Sequence, residues 1–69
     1  MSELLFHVTR ETHGGYIAVA VGESIVTQGD TWDELCHMVT DATKGYFFDS
    51  KPPTHVRLFL HVEQVLAVA

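Results

Sequence analysis

Three features of the chain predict a small α+β domain built β-β-β-α-β, an antiparallel sheet with one helix packed on one face. Strand-period alternation runs from Leu4 to Glu11 and from Tyr16 to Val21, two glycines join these runs at Gly14-Gly15, and a single stretch of helical periodicity follows Thr31. The 69 residues suffice for one domain over 1–69, and a chain of this length buries only about 60% of the surface its unfolded form exposes. Apolar residues make up 46% of it, generous for so small a domain, so part of that surface is expected at a subunit interface.

In the first strand Leu4, Phe6 and Val8 share one face and Leu5, His7 and Thr9 the other. Consecutive glycines at Gly14-Gly15 suit a tight hairpin that requires positive φ, so Tyr16 to Val21 should pair antiparallel with the first strand and lie centrally. Ala18 and Ala20 beside Tyr16 leave room on their face for the helix to approach, while Ile17, Val19 and Val21 take the other face. Gly22-Glu23 can form the next two-residue turn, with Ser24 to Thr27 as a short third strand. Gly29 is then expected as a turn residue free to take positive φ, and Thr31 with Glu34 forms an S/T-x-x-E capping box.

From that cap, Trp32, Leu35, Val39, Ala42 and Tyr46 fall within one arc at about 100° per residue, flanked by Cys36 and Met38. Asp33, His37, Asp41 and Lys44 fall opposite, and the acids at the helix start complement the positive end of its dipole. Gly45 weakens the last turn, so the helix should end near Phe47, and Pro52-Pro53 forms a stiff connection. His55 to Val68 reads again as strand, with its phase interrupted at Glu63-Gln64. At about 3.3 Å per residue it would reach some 45 Å, so it either bends at a bulge or crosses into a second subunit.

Nine acidic against four basic side chains give a net charge of −5, and Arg10, Lys44, Lys51 and Arg57 are too scattered to form a basic stripe. Direct nucleic-acid binding is therefore not expected, since that affinity comes chiefly from Lys and Arg neutralising phosphates. A cationic protein, steered in by complementary potential, suits this surface better. The lone Cys36, the absence of a basic and apolar leader, and the lack of any run near the ~18 residues needed to span a bilayer lead to an expected cytoplasmic, non-membrane protein.

No residue pattern specifies catalysis, a cofactor or a metal. The five histidines, His7, His13, His37, His55 and His61, match no ligand spacing and read as structural or surface residues. His7 and His61 would approach each other if the first and last strands pair, the one cross-strand ligand pair worth testing. Cys36 and His37 diverge by about 100° as helix neighbours and cannot form a dyad. A phosphate site at Gly29 is rejected, because the turn has a single glycine and Asp30, Asp33 and Glu34 would repel an anion. The candidate partner-binding residues, chosen by charge and expected exposure, are Asp33, His37, Asp41 and Glu23. The structural positions are Gly14, Gly15, Gly29, Thr31 and Glu34.

The G-G-Y hairpin at Gly14 to Tyr16, the A-x-A strand at Ala18 and Ala20, the I-x-T-Q-G-D-T corner from Ile25 to Thr31 and the V-R-L-F-L strand from Val56 to Leu60 together resemble the N-terminal domain of HicB-like antitoxins. The resemblance implies a partial RNase H-like architecture without its catalytic carboxylates. It further implies a protein that forms homo-oligomers, dimeric or tetrameric, and masks a small, basic, mRNA-cleaving toxin of the HicA type. Relatives usually add a C-terminal DNA-binding domain; this chain stops at Ala69, so operator binding is not expected of it. Two alternatives remain: a small histidine-dependent or metal-dependent enzyme, and an oligomerisation module with no toxin.

Overall fold

The computed structural model describes residues 2–62 and 65–68. Its elements follow the expected order, with β1 at Glu3–Arg10, β2 at Tyr16–Ala20, β3 at Val26–Gly29, α1 at Trp32–Tyr46 and β4 at His55–His61. The four strands form one sheet in the order β3-β2-β1-β4. β1 pairs antiparallel with β2, and β2 antiparallel with β3. β4, however, runs parallel to β1, so the sheet is mixed and not antiparallel. The cause is the single helix. β3 and β1 point the same way, α1 runs back, and the chain that leaves it enters β4 in the direction of β3, as strand-helix-strand crossovers do.

The sheet face expected to be inward is the buried one. Leu4, Phe6 and Val8 of β1 and Ala18 and Ala20 of β2 join Ile25, Leu35 and Val39 in the core, with Val56 and Leu58 of β4 packed against it. Phe6, Val8, Leu35 and Val39 are the largest fully buried side chains. The two alanines leave the space into which Leu35 and Val39 fit.

Both hairpin connections are longer than two residues. The first spans residues 11–15, where the Gly14 N–H donates to the Glu11 carbonyl at 3.2 Å and the Glu11 N–H to the Gly15 carbonyl at 2.9 Å. Gly14 and Gly15 both take positive φ there, 97° and 88°, as the double glycine anticipates. The third strand begins at Val26 and not at Ser24, because Ile25 turns its side chain into the core while its carbonyl accepts from Ala20 N–H at 2.9 Å.

Gly29 plays a different part from the one expected of it. It closes β3 without a positive φ, and its role is steric: a Cβ there would lie 2.5 Å from the Leu35 nitrogen and 2.7 Å from the Leu35 Cα. The first turn of α1 rests directly on this backbone. Thr31 is the N-cap, its Oγ1 accepting from the Glu34 N–H at 3.1 Å. Among the described residues the return bond from the Thr31 N–H to the Glu34 carboxylate is not formed, so Glu34 acts on the helix through its charge.

The helix ends as expected, with Phe47 as C-cap and its N–H donating to the Thr43 carbonyl at 3.1 Å. The buried stripe is shorter than the sequence arc. Trp32 is 37% and Tyr46 44% exposed, while Thr43 is buried with its hydroxyl donating to the Val39 carbonyl at 2.8 Å. A helix of this length reaches about 22 Å and β3 only about 13 Å, so this strand cannot cover the whole length of the helix. Trp32 instead meets Tyr16 edge-on, with ring centroids 5.4 Å apart.

β4 is tied to β1 at the N-terminal end of the parallel pair. Thr54 donates its hydroxyl to the Ser2 carbonyl at 2.8 Å, and Arg57 donates from Nε and Nη2 to the two oxygens of Glu3 at 2.7 and 3.1 Å. The strand stops at His61, short of the expected Val68. Val62 and residues 65–68 are irregular and exposed, and the expected phase break at Glu63-Gln64 lies outside the described residues.

Two predictions follow from this packing. Gly29→Ala is expected to destabilise the domain by about 2–3 kcal/mol or more, because the obstacle is backbone and cannot yield as a side chain would. Gly45→Ala, whose Cβ would meet nothing within 4 Å, should stabilise by roughly 0.5–1 kcal/mol. Thermal melts of the two variants should therefore move in opposite directions. The second prediction concerns Glu3, whose carboxyl is held below the ordinary carboxylate range chiefly by its hydrogen bonds to Arg57. The stabilisation this gives is present above that range and lost as pH falls through the depressed value. In Arg57→Gln, an NMR titration should show the Glu3 carboxyl return toward its ordinary value; an unchanged titration would contradict the parallel register.

Candidate functional site

The outward side of α1 carries the residues that charge and periodicity selected. Asp33, His37 and Asp41 follow one another at four-residue spacing, which on a helix places them in one row. All three are exposed, and His37 Nε2 lies 3.7 Å from Asp41 Oδ2, an ion pair only when the imidazole is protonated. Asp30, Glu34 and Asp33 are all exposed at the start of this row, so the helix presents an acidic end that its own dipole tolerates. Lys44 in the last turn is the one opposing charge on the helix. The row is positioned by the opposite side of the helix, where Leu35 and Val39 are locked into the core.

Glu23 does not join the row. It is half-buried in the connection between β2 and β3, and among the described residues no hydrogen bond or ion pair links it to α1. Cys36 is a half-buried free thiol at the border of the helix's packed stripe, and its neighbour His37 faces Asp41.

A second surface went unselected at the sequence level. α1 covers one face of the sheet, and among the described residues no element covers the other. Strand register sets Val26, Val19, His7 and Phe59 side by side across it. Val26 is 68% and Phe59 48% exposed, and Val21 and Val19 are also exposed. The signal was present in β2, which is apolar on both faces, whereas a strand with one solvated face alternates with polar residues. The outer edge of β4 is a separate feature: among the described residues it has no partner strand, and it carries the exposed Leu60, on the helix-side face opposite Val8, with Val62 beyond it.

The first and last strands do pair, and they bring His7 and His61 together. His7 stands opposite Phe59 and His61 opposite Thr9, so the two imidazoles sit diagonally on the uncovered face. Their Nδ1 and Nε2 atoms are 2.6 Å apart. The other histidines stand apart, with His55 Nδ1 3.0 Å from the Thr54 hydroxyl and His13 in the first hairpin connection. Among the described residues no three His, Cys, Asp or Glu side chains gather in a metal-ligating cluster, and no helix is long and apolar enough to cross a membrane.

No family profile matches the chain, and no solved structure matches it. Two curated relatives do. A UPF0150 protein of Thermotoga maritima is 44% identical over 50 residues, which cover 72% of this chain and 71% of the relative. A UPF0150 protein of Archaeoglobus fulgidus is 41% identical over 46 residues, covering 67% and 70%. Identity of this level, spread over most of both chains, exceeds what a shared small fold alone would give, and the chain belongs to the UPF0150 family.

Proposed function

We propose that this chain is a non-catalytic, antitoxin-like cytoplasmic protein that self-associates and masks a small basic mRNA-cleaving toxin of the HicA type. The observation that carries the reading is the exposed row of Asp33, His37 and Asp41 on a helix fixed to the sheet, in a chain of net charge −5. Membership of the UPF0150 family, which includes HicB-like antitoxin domains, supports it. A fixed acidic row attracts a cationic surface from a distance, speeds encounter and discourages nucleic acid, whose phosphates it repels. A toxin that must hold RNA is itself basic, so occupying its cationic surface also blocks its substrate.

Self-association is assigned to the free edge of β4. An unpaired, apolar strand edge offers backbone donors and acceptors to a second strand, and the exposed Leu60 and Val62 gain by burial there.

Titration calorimetry of the purified chain against a HicA-type ribonuclease, with RNA cleavage followed in parallel, tests the reading. Binding should weaken as salt rises through the range where the Debye length falls below about 10 Å. The double variant Asp33→Lys with Asp41→Lys should bind at least about tenfold more weakly; because the change at position 33 also opposes the helix dipole, its melting temperature should fall by a few degrees at most, and circular dichroism should show the fold retained. Failure to bind any such ribonuclease, or binding indifferent to both charges, would overturn the antitoxin assignment and leave the oligomerisation module. Light scattering should give a multiple of the 7.7 kDa chain mass that falls to the monomer value in Leu60→Lys. A monomer at high concentration would remove the β4-edge interface.

A further inference from the structure

We propose that His7 and His61 form a two-ligand site for a late first-row transition ion of the Zn²⁺ class on the uncovered face of the sheet. The two imidazoles come from adjacent parallel strands, and their positions are fixed by the register that places His7 opposite Phe59 and His61 opposite Thr9. The ring centroids are 4.8 Å apart with planes inclined by 30°, and the facing nitrogens are 2.6 Å apart. Because an imidazole nitrogen lies about 1.1 Å from its ring centre, these values put both nitrogens almost on the line between the centres. The rings therefore meet edge to edge with their lone-pair directions converging, and do not stack face to face.

That arrangement has one proton's worth of space between two bases. One ring donates N–H and the other accepts, and a metal ion can take the place of the shared proton. Metal–nitrogen bonds of about 2.0–2.1 Å meeting near the tetrahedral angle require nitrogens about 3.3 Å apart, so the pair must open by roughly 0.7 Å. Both side chains are exposed, and small χ1 and χ2 rotations on the sheet surface supply that opening. The surroundings favour it. Among the described residues no third His, Cys, Asp or Glu joins the pair in a ligand cluster, and Glu3, the β1 carboxylate on this face, is held by Arg57, so the imidazoles are the donors; the net charge of −5 attracts a cation to the chain as a whole. Two imidazoles select Zn²⁺, Ni²⁺ and Cu²⁺ over Mg²⁺ and Ca²⁺, which demand oxygen ligands. Water fills the remaining positions, so the expected affinity is micromolar and below that of a closed four-ligand site.

The test is a Zn²⁺ titration of the full, untagged chain by calorimetry, with Mg²⁺ as control and the variants His7→Gln, His61→Gln and His13→Gln alongside. One Zn²⁺ per chain is expected at micromolar affinity, with no heat from Mg²⁺. Each of His7→Gln and His61→Gln should weaken binding about 10- to 100-fold, since either change turns a chelate into a single ligand. His13→Gln should leave it unchanged. Circular dichroism on each variant separates lost binding from lost fold. In an NMR spectrum correlating imidazole carbons and nitrogens, Zn²⁺ should move the Nδ1 signal of His7 and the Nε2 signal of His61 together. No binding at millimolar Zn²⁺, or binding that survives both substitutions, would overturn the site.

Discussion

The contact between Gly29 and the first turn of α1 governs the rest of this domain. With no side chain at position 29, the Leu35 backbone sits where a Cβ would otherwise be, and the helix is drawn against β3 and β2. Everything that makes the helix useful follows from that closeness. Leu35 and Val39 reach the space left by Ala18 and Ala20, and the opposite side of the same helix is held out to solvent as an acidic row. Thr31 sets the starting direction by capping the Glu34 N–H two residues beyond the strand's end. Strand, glycine and cap thus act as one corner, and a small core of eight buried residues hangs from it.

The crossover from β3 through α1 to β4 has consequences of equal weight for the surface. It makes β4 a parallel neighbour of β1 and an edge strand, and so creates in one step the Glu3–Arg57 ion pair, the His7–His61 contact and a free strand edge. The ion pair is exposed and adds little to stability, but its two-pronged geometry favours one register over its neighbours. A one-residue slip of β4 would turn Val56 and Leu58 outward and separate both pairs.

The molecule is consequently two-sided. One side is the helix, polar and acidic, suited to a partner recognised by charge. The other is an uncovered sheet of valines and a phenylalanine crossed by two histidines, suited to burial or to an ion. A chain of 69 residues cannot cover both faces of a four-stranded sheet with one helix, and its apolar excess over a domain's ordinary need lies largely on that open face and at the β4 edge.

The sequence by itself determined the elements whose causes are local. Positive φ at Gly14-Gly15, period-two alternation in β1 and β2, the Thr31 cap and the helical row of Asp33, His37 and Asp41 each depend on residues within a few positions of one another and each is found, although the hairpin connection is longer than a tight turn and only the Thr31 half of the capping box forms. The tertiary structure alone decided what depends on distant partners. The direction of β4 depends on which edge of the sheet the chain reaches after the helix. The role of Gly29 depends on a backbone six residues away that folds onto it, so a glycine read as a turn proves to be a contact. Glu23 looked equivalent to the helix acids as a charge, yet lies on a separate connection and is half-buried. His7 and His61 stand 54 residues apart and touch only because β1 and β4 pair. Local propensity and periodicity write themselves into short windows of sequence, whereas strand direction, close approach and cross-strand proximity are set by the closure of the whole chain.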